Sequence, residues 1–165
     1  MATNTFLGVL RSSGGDTTKR AYAGSAVLTA TFHIPDPTLA STTAVRKSAS
    51  DSSAVILPAN AIVTEIIANA AATGGTNPTF DMGWIGLNDT SAFDVDDLLN
   101  EGDADAGKQV FTIATATAGA KLGVSPMSTV QPVKITGGVG ASAATGGSIT
   151  GFLRYHISDN GAYDR

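Results

Sequence analysis

The 165-residue chain contains no cysteine. Disulfide staples, thiolate nucleophiles and the common zinc-binding sets are excluded together, so stability must come from packing or assembly. Charge is scarce too: Asp, Glu, Lys and Arg make up 15% of the residues, well below the quarter or so of ordinary soluble domains. Aromatic residues contribute 6%, with one tryptophan, Trp84, and there are two histidines, His33 and His156. No apolar run approaches the ~20 residues of a membrane-crossing helix. The first ten residues lack the basic start and apolar core of a secretion signal. The chain is therefore expected to be soluble and made in a cytoplasm, with no membrane partner.

What remains is a hydrophobic content of 42%, too high for a disordered chain. The length suits one domain able to bury about 70% of the surface its unfolded form exposes. Ala, Thr, Ser and Gly are abundant, a composition that fits an assembled subunit. The net charge of −4 is unevenly spread. Residues 1–50 carry Arg11, Lys19, Arg20, Arg46 and Lys47 against Asp16 and Asp36, whereas residues 51–110 set ten carboxylates against Lys108 alone. An acidic body with a mildly basic leading segment repels nucleic acid, so another protein is the expected partner.

Residues 1–24 mix Gly, Ser, Thr and Asn with isolated apolar side chains, and read as an N-terminal arm preceding a domain at 25–165. Residues 25–34 (SAVLTATFHI) form the first expected strand, ended by Pro35 and Pro37. A polar stretch at 38–53 reads as a long surface loop. A short strand, a turn at Pro58 and a second strand at 62–70 follow. Residues 79–86 (TFDMGWIG) alternate cleanly, placing Phe80, Met82 and Trp84 on one face. Asp94 is positioned to cap a single helical turn through Leu98 and Leu99, ended by Asn100 and Gly102. Further strands are expected at 109–114, 130–136 and 148–158. In the last, Ile149, Leu153, Tyr155 and Ile157 share one face, and its length predicts a central place in a sheet. Residues 137–147 (GGVGASAATGG) read as a flexible hairpin loop. Some seven short strands between Gly- and Pro-rich turns point to an all-β, antiparallel β-sandwich or barrel.

Chemistry-bearing patterns are few. Asp94, Asp96, Asp97, Glu101, Asp103 and Asp105 supply hard oxygen ligands dense enough for a divalent cation. Their order does not match an EF-hand loop, and a solvated helix start with an acidic loop is the favoured reading. A carboxylate pair for glycoside hydrolysis lacks an aromatic sugar platform. His33 and His156 both fall within strands, and no serine sits in a G-x-S-x-G elbow. Gly137, Gly138 and Gly140 superficially resemble a phosphate loop, but lack the Lys-Ser/Thr ending and a following helix. Arg11, Lys19 and Arg20 have no interleaved aromatics of the kind nucleic-acid binding uses. No residue is assigned a catalytic, cofactor-binding or metal-binding role, and the chain is not expected to be an enzyme.

One composite pattern goes further. It joins residues 56–66 (ILPANAIVTEI), the turn and strand at 74–83 (GGTNPTFDMG), the expected helix start at 93–99 and the closing strand at 151–157 (GFLRYHI). Together these resemble the small β-sandwich virion proteins of tailed phages, head decoration or cement proteins among them. The likeness covers about residues 54–157 and rests on turns and strand spacing. It implies a jelly-roll-like sandwich that assembles, often as a homotrimer, on the outer capsid surface and clamps neighbouring subunits of the major capsid protein. It brings no catalytic residue and no cofactor. Such a protein is made in the host cytoplasm and ends in the virion. Related sandwiches also occur in tails, so a tail, fibre or adaptor component is the alternative.

Overall fold

The computed structural model describes residues 27–115 and 117–158. The arm expected at 1–24, with Arg11, Lys19 and Arg20, lies outside the described residues. Among these, every regular element is a strand: β1 (Leu28–Ile34), β2 (Ile56–Leu57), β3 (Ala61–Thr73), β4 (Thr79–Gly86), β5 (Phe93–Asp103), β6 (Gly107–Phe111), β7 (Val133–Val139) and β8 (Gly146–Ile157).

The strands form two four-stranded antiparallel sheets, a first in the order β1-β8-β3-β6 and a second in the order β2-β7-β4-β5. The first strand pairs with the eighth, the second with the seventh, the third with the sixth and the fourth with the fifth. Successive pairs alternate between the sheets. This is one long antiparallel ribbon rolled on itself, a jelly roll, closed by β3–β8 and β4–β7 pairing.

Period-two alternation builds the core. Phe80 and Met82 of β4, Ile66 and Ala68 of β3, Phe32 and Ile34 of β1, Ile149 and Leu153 of β8, and Val133 and Ile135 of β7 are all buried between the sheets. Phe80 and Phe111 join the two layers edge to face, with ring centroids 6.1 Å apart. Long β8 lies between β1 and β3, the central place its length predicts.

Three expectations are corrected. The helical turn at Asp94 is instead strand β5. Between the pairs Ile85–Phe93 and Thr79–Asp103, β5 contains four more residues than β4, and two irregularities in the ladder absorb them. The excess buries Asp97, Leu98 and Leu99 in succession, which breaks alternation and imitates helical spacing. The loop at 38–53 is not wholly superficial. Val45 is 1% exposed, its amide donates to the Ile135 carbonyl, and the Val139 amide donates to Leu39, so this stretch extends the second sheet alongside β7. The glycine-rich stretch at 137–147 is no hairpin loop, because Gly137 and Gly138 belong to β7 and the connection crosses from one sheet to the other. A methyl group on Gly138 would lie 2.2 Å from the Leu39 carbonyl oxygen, so the glycine lets the 38–41 segment settle on the strand.

The β6–β7 connector completes the barrel-like closure. It buries Leu122 and Met127, donates from the Gly123 amide to Val63 of the first sheet, and exchanges backbone bonds with Leu98 and Asn100 of the second. One irregular segment thereby joins β3 of the first sheet to the edge strand β5 of the second.

Candidate functional site

Residues directly opposed in an antiparallel ladder share a face, so the register specifies what each sheet presents outward. On the second sheet Ile56 opposes Lys134, Lys134 opposes Ile85, and Ile85 opposes Phe93. One row thus crosses all four strands, apolar except for a lysine. Its ends, Ile56 and Phe93, are 47% and 53% exposed. The Leu87 amide donates to the Pro132 carbonyl one step beyond, placing two more apolar residues beside the row.

The first sheet has a counterpart. Thr31 opposes Phe152, Phe152 opposes Ile67, and Ile67 opposes Val110, which is 54% exposed. The neighbouring row pairs Arg154 with Glu65 at 2.8 Å, and the guanidinium also sits 5.8 Å from the centre of the Phe152 ring. Beyond β6, exposed Ile113 packs beside Gly123, next to exposed Val124. Surfaces of this kind release water on contact at about 25 cal/mol per Å², which suits protein association.

The most constrained polar group lies at the margin of the core. Trp84 points inward from β4, as its alternation predicts, and its indole Nε1 donates to Asp97 Oδ2 at 2.8 Å. Lys121 Nζ stands 3.5 Å from the same oxygen and 4.7 Å from the indole centre, and donates to the Met127 carbonyl at 3.0 Å. A bulged strand, a regular strand and the connector are thereby fastened at one point. Nothing in the sequence links Lys121 to this group, since only the folded connector brings it to Asp97, which lies 24 positions earlier. With every member satisfied by its neighbours, the arrangement is a structural tie.

The acidic stretch is dispersed along the chain's own turns. Asp94 accepts the Asp96 amide and Asp103 accepts the Asp105 amide, the same two-residue pattern by which Asp36, Asp51 and Asp89 hold Thr38, Ser53 and Ser91. Asp81 accepts the amide of Glu101, whose φ of 57° is the left-handed conformation of the second bulge. Burial pushes the Asp81 carboxyl above the usual carboxylate value; the Glu101 amide opposes that shift and the Glu101 charge adds to it. The Asp96 carboxyl is also raised, chiefly by its hydrogen bond with Asp94, then by partial burial and the charges of Asp94 and Asp81. Among the described residues, no group of three or more His, Asp or Glu side chains is placed to hold a metal ion.

His33 and His156 sit apart, one at the end of β1 where its backbone pairs with Arg46, the other on β8 opposite Ile62. The structure brings neither together with a serine and a carboxylate in any hydrogen bond among the described residues. Gly137 and Gly138 are strand residues, so the phosphate-loop likeness has no structural counterpart. The site that remains is a surface: two cross-strand rows, one on each outer face and each with three apolar side chains, whose alignment only the register supplies. Comparison with protein-family models, curated proteins and solved structures finds no match to this chain.

Proposed function

We propose that this chain is a non-enzymatic structural protein of a tailed-phage virion, a capsid cement or decoration protein that binds the outer capsid surface and stabilises contacts between coat subunits. The observation carrying this reading is the row Ile56–Lys134–Ile85–Phe93 in register across the second sheet. Its apolar members supply contact area, and Lys134 in its midst seeks a carboxylate on the partner. The jelly-roll topology and the low charge support the reading, since that architecture recurs in viral shells and a sparsely charged surface suits burial in an assembly. Fold alone does not decide function, because lectins and cupins share it. Self-association repeats each coat contact around a symmetry axis, so modest affinity per copy gives a tightly held cap.

The test uses purified chain and mature heads lacking it. The wild-type protein is expected to co-sediment with heads and to raise their resistance to heat, while Phe93→Asp weakens binding at least tenfold, about 1.4 kcal/mol, without altering the isolated protein's melting temperature by more than a few degrees. Binding to purified tails and not to heads would transfer the protein to the tail, fibre or adaptor class. Indifference to both would overturn the virion reading.

A further inference from the structure

The outer face of the first sheet is complementary to itself. Its central row runs Thr31–Phe152–Ile67–Val110 across β1, β8, β3 and β6, three apolar side chains and a threonine, and the row beside it holds Arg154 on β8 directly opposite Glu65 on β3. Consider a two-fold axis parallel to the strands and passing between β8 and β3. Two copies packed face to face about it set β8 of one over β3 of the other, within the same row. Phe152 then meets Ile67 of the second copy, Thr31 meets Val110, and Arg154 and Glu65 each meet their opposite in the other copy. The four charges alternate around the axis, and the guanidinium and carboxylate that already pair within a chain at 2.8 Å gain a second partner each.

The second sheet fails the same operation. An axis between β7 and β4 would set each Lys134 over Ile85 of the other copy, with no carboxylate in that row to receive either ammonium. The two outer faces therefore differ in kind, one suited to a second copy and the other to a different protein.

We infer that the first sheet is a self-association surface whose occupant is a second copy of this chain, related by a two-fold axis along the strands between β8 and β3. Strands ~4.8 Å apart and ~3.3 Å per residue give a footprint of roughly 400 Å² per copy over the length of β1. The total, about 800–900 Å², is below the standard size for stable complexes, so the dimer is weak and reversible and fills at high concentration. An isologous contact closes at two copies and not three, which separates it from the homotrimer that the resemblance implies. The inference is independent of the coat-binding reading, which rests on the other sheet and is tested by Phe93→Asp.

A charge-reversal experiment in trans decides it. Sedimentation of the full chain from about 1 to about 500 µM is expected to show a rise from 16.6 kDa toward twice that mass. Glu65→Arg alone gathers four cations at the axis, and Arg154→Glu alone gathers four carboxylates, so each variant by itself stays monomeric. Mixed together, the two restore dimers, because each charge again faces its opposite across the interface. Rescue by mixing cannot come from the intrachain ion pair, which both variants lack. Val110→Asp, on an exposed site, supplies a second variant that stays monomeric with an unchanged melting temperature. A wild-type chain monomeric throughout, a wild-type trimer, or a mixture that remains monomeric would each overturn the assignment.

Discussion

Trp84, Asp97 and Lys121 show how one carboxylate is made tolerable inside a sparsely charged protein. Asp97 is a buried acid, held by an indole N–H at 2.8 Å and an ammonium at 3.5 Å. Asp97→Ala strands the indole N–H and takes the carboxylate from Lys121, which keeps the Met127 carbonyl, and a loss of about 2–4 kcal/mol is expected in denaturant unfolding. Trp84→Phe keeps most of the packing and removes one hydrogen bond, so a smaller loss of about 1 kcal/mol is expected, together with loss of the only tryptophan fluorescence signal. Acid–base behaviour separates two groups of aspartates. Asp36, Asp51 and Asp89 are held below the usual carboxylate value, first by the hydroxyls of Thr38, Ser53 and Ser91 and then by the amides of the same residues. Their contribution to stability is present above the unfolded value and lost as pH falls through the lowered folded one. Asp96 is raised, so its ionised form is a cost to the fold at neutral pH that disappears below the ordinary carboxylate range. Asp96→Asn is accordingly expected to raise the melting temperature at pH 7 and to leave it unchanged near pH 3, as read by thermal melts at both values.

At the scale of elements, β5 is the informative case. Its sequence, Phe93 to Asp103, pairs acidic residues with two adjacent leucines and suits an N-capped helical turn as well as a strand. Two bulges decide the matter by placing extra residues over Gly83, where a methyl group would lie 2.0 Å from the Asp94 carbonyl oxygen. Gly83→Ala should cost about 3 kcal/mol, and Gly119→Ala, whose methyl group would meet the Asp97 backbone at 2.1 Å, a comparable amount. Each is measurable by chemical denaturation, and an unchanged midpoint for either would mean that the bulge or the connector yields freely. The clean alternation of β4 and β8, in contrast, was legible because every second residue faces the core with no excess to absorb. The 38–53 stretch misled for a third reason. Its polar composition conceals Val45, which the neighbouring β7 recruits into the core.

For the whole molecule, the two sheets share a core and differ outside it. If the second sheet holds the coat and the first holds another copy, then Phe93→Asp should weaken head binding at least tenfold while leaving self-association intact, and Val110→Asp should remove self-association, weakening head binding only through lost avidity. Loss of both activities from either single change would mean that the faces are not separate. The amino-acid sequence by itself determined the all-β character, the inward set of most strands and the absence of thiol chemistry, because these follow from composition and from a two-residue period that each segment carries locally. The jelly-roll order, the β5 bulges, the Trp84–Asp97–Lys121 tie and the alignment of four residues into an outer row were settled only by the tertiary structure. Each depends on the register between segments far apart in the chain, and register is a property of pairs of strands that no single strand encodes.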